Sequence, residues 1–137
     1  LLKIMLDKTK LIRALAEGYT AAWCSQNAAS VASFYEENGS LRINDDPPAV
    51  GRAAITEVAQ GFMTAFPDMK VSLDDVRFQD EGAVYHWTLT GTNNGTGGTG
   101  RKVRISGYEV WQIGPSELIG NSRGHFDSDD YRRQLEL

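Results

Sequence analysis

An α+β fold is predicted for this chain, and three observations predict it. Apolar residues recur at three or four positions through residues 7–65. Beyond Pro67 the dominant period shortens towards two, and the later segments are separated by acidic or glycine-rich turns. Helices first and a meandering sheet afterwards is the resulting order. The 137 residues suit one domain, 1–137, with a core large enough to stand alone.

Each element has its own signal. Over residues 7–38 the apolar positions Leu11, Leu15, Tyr19, Ala22, Trp23, Val31, Phe34 and Tyr35 mark one buried helical stripe. Gly18 weakens that stripe, and the polar residues 25–27 predict a turn between two helices. A short strand is expected at 41–43. The turn sequence NDDPP follows, where the proline pair resists a helix, and Gly51 releases the chain into a helix over 52–65. Ile55, Val58, Phe62 and Met63 form its buried face, and the segment stops at Phe66-Pro67-Asp68. Strands are then expected at 71–73, 77–79, 83–91, 101–113 and 118–123. The tract GTNNGTGGTG at 91–100 reads as a long hairpin loop, and also as a flap over a pocket. The tail, 128–137, suits one or two helical turns.

Composition narrows the function classes. A net charge of -4 offers no general attraction for nucleic acid or an anionic membrane surface, so neither is expected as a partner. The single cysteine, Cys24, and two distant histidines make no metal-ligand spacing, and Cys24 reads as a buried, inert thiol. No run approaches the roughly 20 apolar residues that span a bilayer, so a cytoplasmic protein is expected.

Several residues could carry chemistry. In the strand 83–91, Tyr85, Trp87 and Leu89 share one face, either as core or as the wall of a cavity. His86 lies on the opposite face, which suits a surface or interface role. In the next strand Val103, Ile105, Gly107, Glu109, Trp111 and Ile113 share a face, and Glu109 is the unusual member. Burial would raise its pKa and make it a candidate acid or base; an ion pair with Arg104, Arg101 or a symmetry mate is the competing account. Tyr19, Trp23 and Tyr35 could project into the same cavity or simply fill the core. Asp127, at the boundary between a strand and the last helix, either caps that helix, with Asp130 completing a capping box, or acts as a general acid or base tuned by His125.

The run Phe66-Pro67-Asp68, the strand end Leu89-Thr90-Gly91-Thr92-Asn93, the strand over 103–113 and the close Gly124-His125-Phe126-Asp127 to Arg133-Gln134-Leu135 together resemble the SnoaL-like polyketide cyclase branch of the nuclear-transport-factor-2-like superfamily. The resemblance covers about residues 8–136. It implies a conical barrel in which N-terminal helices pack over a strongly curved mixed sheet and enclose an apolar cavity. It further implies homodimerisation through the outer sheet face, with His86 there, and a small apolar or aromatic ligand. No metal and no organic cofactor are implied. Asp127 would be the acid or base of an aldol closure, with Tyr19, Trp23, Trp87 and Trp111 holding a flat ring skeleton. The chain departs from the family pattern where Asn93 and Trp111 stand in place of histidines, and Asn93 can only hydrogen-bond a substrate oxygen. Ketosteroid-isomerase-like proteins are similar too, and that chemistry would pair Glu109 or Asp127 as base with Tyr19 or Tyr35 as donor. An enzyme of the cyclase or isomerase kind, a non-catalytic small-molecule binder and an interaction module are the functions that the sequence leaves open.

Overall fold

The computed structural model describes residues 1–136. Two helices, α1 (Leu2–Trp23) and α2 (Ala28–Ala32), precede strand β1 (Tyr35–Ile43), the short β2 (Ala49–Val50) and helix α3 (Arg52–Ala65). Strands β3 (Lys70–Gln79), β4 (Gly82–Thr92), β5 (Lys102–Ile113) and β6 (Ile119–Phe126) follow, and α4 (Ser128–Leu135) closes the chain. One six-stranded sheet runs β2-β1-β6-β5-β4-β3, antiparallel except where β1 lies parallel to β6. The predicted α+β order is therefore present, with the helices over a curved mixed sheet.

Curvature comes from breaks in register. An extra residue in β3, between Leu73 and Asp75, opposes β4, and further shifts occur in β1 between Tyr35 and Ser40 and at the end of β5. Such bulges bend a strand and increase its twist, which curls the sheet around the helices. The alternation read from β4 and β5 is realised: Tyr85, Leu89, Val103, Ile105, Glu109 and Trp111 are all buried on the concave face.

The second helix is much shorter than the sequence suggests. Val31, Phe34 and Tyr35 fit helical spacing, but the Phe34 carbonyl accepts from the Ile119 N–H, and β1 begins at Tyr35. Pairing with β6 and a clamp from Arg52, whose guanidinium donates twice to the Tyr35 carbonyl at 2.9 and 2.8 Å, outweigh the local pattern. Gly18 has a packing reason: a Cβ there would lie 2.7 Å from the Phe34 ring. The predicted strands at 71–73 and 77–79 are one bulged strand, and the helix expected over 52–65 is found with those bounds. Cys24 is exposed rather than buried, because α1 ends at Trp23 and turns it outward, with its Sγ 3.3 Å from the Val71 amide and carbonyl.

Helix α4 is tied to the sheet where β6 has run out. The Gln134 amide accepts from the Arg104 N–H at 2.7 Å and donates to its carbonyl at 2.9 Å, so it stands in for a strand. Tyr131 packs against Phe126 and Phe66 beside the open end of the cone.

Candidate active site

The concave side of the sheet holds a buried carboxylate among aromatic rings. Glu109 Oε1 accepts hydrogen bonds from Ser122 Oγ at 2.6 Å, Trp111 Nε1 at 3.0 Å and the Tyr19 hydroxyl at 3.0 Å. Its Oε2 has one longer contact, to the Tyr19 hydroxyl at 3.3 Å. Behind them the Tyr19 and Tyr35 hydroxyls are 2.8 Å apart, and Tyr85 donates to or accepts from Thr20 at 2.6 Å. Burial raises the Glu109 pKa, while the bonds from Ser122, Trp111 and Tyr19 oppose that rise. Desolvation also holds the phenols of Tyr19 and Tyr35 above their usual range, with Glu109 adding to the effect, so both are neutral donors at physiological pH. Among the described residues no arginine reaches Glu109; neutral donors hold it in place of Arg101 or Arg104, and Arg104 points away because its alternation in β5 is opposite.

This carboxylate borders a cavity of about 60 Å³ whose other walls include Trp23, Phe62, Tyr85, Trp87, Ile105 and Phe126. A wider cleft of about 680 Å³ shares Leu41, Ile43, Phe62 and Phe126 with it and continues past Asp45, Val58, Tyr131 and Arg132. The inner space admits only a few atoms, whereas the cleft has the size of an ordinary small-molecule site, roughly 300–1,000 Å³.

The residues singled out in the sequence divide into three groups. Trp23, Tyr85 and Trp87 line the cavity. Tyr19, Tyr35 and Trp111 are fully buried behind it and hold Glu109, so they are not walls for a flat ring; Trp111 lies stacked on Tyr85 at 4.9 Å. Asp127, His125 and Asn93 are elsewhere. Asp127 is exposed, and its Oδ1 accepts from the Asp130 N–H at 3.0 Å as the N-cap of α4, which corrects its expected place in the cavity. The reciprocal half of a capping box is missing, since the Asp130 carboxylate turns to Arg133 and Gln134. His125 stacks on Tyr108 at 4.9 Å on the convex face, because alternation in β6 turns it away from Phe126. Asn93 is consumed by its own loop: its amide donates to the Ala65 carbonyl at 3.2 Å and accepts from the Thr99 N–H at 2.8 Å. The 93–101 loop thus lies against the end of α3 and lines neither cavity nor cleft, which corrects the flap.

Ser122 was missed. It is fully buried and pairs with Trp111 across β5 and β6, where Gly120 and Gly124 flank it. In GNSRG the small residues Ser122 and Gly124 oppose Trp111 and Glu109, a pairing that only the register between β5 and β6 creates.

A model of the SnoaL-like domain matches residues 16–119, more than half of the sequence. The chain belongs to the SnoaL-like domain family. No curated protein matches this SnoaL-like chain. Solved structures do. A protein with a ketosteroid-isomerase-like fold from Catenulispora acidiphila DSM 44928, in complex with trimethylamine, superposes with a TM-score of 0.79 at 12% identity, over 90% of this chain and 92% of that one. A protein from Jannaschia sp. CCS1, provisionally assigned as a SnoaL-like polyketide cyclase, gives 0.73 at 12% identity, over 89% and 92%. A phenazine biosynthesis-related protein from Pseudomonas aeruginosa gives 0.79 at 14% identity, over 95% and 83%. At such identities the likeness establishes the fold, a conical α+β arrangement, and leaves the chemistry to the site.

Proposed function

We propose that this SnoaL-like protein moves a proton on a small apolar carbonyl compound, as a cyclase or isomerase, with Glu109 as the general acid and base. One observation carries the reading: Glu109 is the only carboxylate among the described residues lining the apolar cavity, and its Oε2 has a single long contact. Buried acids with raised pKa values are suited to exchanging protons near neutrality.

The step is balanced without an oxidant. The Glu109 carboxylate takes the proton from a carbon next to the carbonyl; the C–H electron pair forms a C=C bond as the carbonyl pair moves onto oxygen. The resulting carboxylic acid returns the proton to the same carbon or to a conjugated one, which isomerises the compound. If the enolate carbon instead attacks a second carbonyl, a C–C bond closes a ring and the new alkoxide takes the proton. Tyr19, Trp111 and Ser122 keep the carboxylate oriented.

The test is deuterium exchange at the α-carbon of 2-tetralone, extended to 3-oxo compounds and polyketide esters. Wild-type protein is expected to accelerate exchange, and Glu109→Gln to lose about 10²–10⁴-fold of it, the usual scale of a general base. Exchange by Glu109→Gln equal to the wild type would end the assignment.

A second reading, a binder without turnover, draws on a different observation: Oε1 already accepts three bonds, as a purely structural buried acid does. The trimethylamine in the similar Catenulispora structure supports small-ligand binding equally well. Ligand affinity without any exchange would favour this reading. The proposal includes a homodimer through the convex face, supported by the row His86, Tyr108 and His125 across β4, β5 and β6.

A further inference from the structure

Trp87 carries a polar atom that nothing in the fold uses. Its Nε1 is the one buried side-chain nitrogen or oxygen without a hydrogen-bond partner among the described residues. Buried donors are paired almost without exception, because an unmade bond forfeits the water that the group gave up. The other donors among the residues lining the cavity are engaged, Tyr85 with Thr20, while Glu109 accepts from Ser122, Trp111 and Tyr19 through Oε1.

The position of the indole is built. A Cβ at Gly107, mid-strand in β5, would lie 2.6 Å from Trp87 Cζ2 and 2.4 Å from the His125 carbonyl, so only glycine lets the ring lie against the strand. Phe126 holds it edge-on, with ring centroids 6.0 Å apart. Cζ2 and Nε1 flank the same ring carbon, so the N–H side of the indole lies close to Gly107 in β5. Tyr85 is directly opposite Glu109 in the register, and Trp87 is opposite Gly107, so Trp87 and Glu109 are diagonal neighbours on one face. Backbones at diagonal positions are roughly 7–8 Å apart, within reach of long and aromatic side chains, so a ligand group held by one of these residues lies beside the other.

We propose that the Trp87 indole N–H receives the ligand's single acceptor oxygen, which makes Trp87 the group that selects apolar ketones over hydrocarbons of the same shape. This rests on the reading of the cavity as a ligand site, and it holds for a binder as well as for an enzyme. The oxygen enters the inner cavity, where few atoms fit, and the rest of the ligand occupies the cleft beyond Phe62 and Phe126. A carboxylate at the leading end is excluded by Glu109 beside it.

The experiment uses 15N-labelled protein, with the Trp87 indole cross-peak identified by its loss in Trp87→Phe. The wild type is titrated with 2-tetralone and with tetralin, which has the same rings and no oxygen. 2-Tetralone is expected to move the Trp87 N–H resonance downfield, as a new hydrogen bond does, and tetralin is not. Trp87→Phe is expected to weaken 2-tetralone binding by roughly tenfold, the scale of one hydrogen bond, and tetralin binding by much less. A ketone that moves the resonance no more than the hydrocarbon does, equal losses for both compounds in Trp87→Phe, or binding of neither by the wild type would overturn the proposal. Exchange without the Trp87 shift defeats this inference alone. The shift without exchange defeats only the catalytic reading.

Discussion

Glu109 is where the residue-scale physics is most exposed. Burial raises its folded pKa above that of an exposed glutamate, so its contribution to stability is fully present below the unfolded pKa and is lost as pH rises through the folded pKa. Glu36 and Asp68 act in the opposite sense: hydrogen bonds, from Ser116 and from Thr92 respectively, hold their carboxyls low, and their contribution fades on acidification. The Glu109 effect is therefore read as a difference. The melting temperature of the wild type relative to Glu109→Gln is expected to fall from pH 4 towards neutrality and then level off; a difference flat in pH would show that Glu109 is not desolvated. Exchange activity is expected to rise over the same interval, since the base must be ionised. Tyr19→Phe removes the hydroxyl that joins Tyr35 to Glu109, and about 1–3 kcal/mol should be lost in urea denaturation. The candidates Glu109, Trp87 and Tyr85 were legible from period-two alternation. Ser122 was not, because a serine in a strand carries no signal until the register sets it against a carboxylate.

At the scale of elements, the Asp127 cap of α4 and the 93–101 loop are anchors rather than working parts. Asp127→Ala should cost about 1 kcal/mol through loss of the N-cap and leave exchange activity within roughly twofold of the wild type. Denaturation and the exchange assay on one variant separate the two; a large activity loss with unchanged stability would return Asp127 to the site. Its alternative roles were both visible in GHFDSDDYRRQL, and the choice between them depended on the direction of one side chain. The helix that runs short at Ala32 makes the same point. Its pattern extends to Tyr35, but Ile119 and Arg52 capture the backbone of residues 34 and 35 from far along the chain.

For the whole molecule, the curved sheet separates two surfaces of different character. The concave one is apolar around Glu109; the convex one presents His86, Tyr108 and His125, with Tyr108 39% exposed. If that row is the dimer face, sedimentation velocity should show a dimer that dissociates in Tyr108→Glu, with helix content unchanged by circular dichroism; a monomer at all concentrations would refute it. No helix among the described residues is long and apolar enough to cross a membrane. The sequence by itself determined the order of helices and strands, the two faces of β4 and β5 and the span of α3, because these depend on periodicity and on turn residues a few positions apart. Only the tertiary structure decided that Glu109 is held by Tyr19, Trp111 and Ser122, that Trp87 keeps a free N–H, and that Asp127 and Asn93 serve their own backbones. Those outcomes depend on bulges and register between strands distant in sequence, which set where each side chain points and which partner it meets.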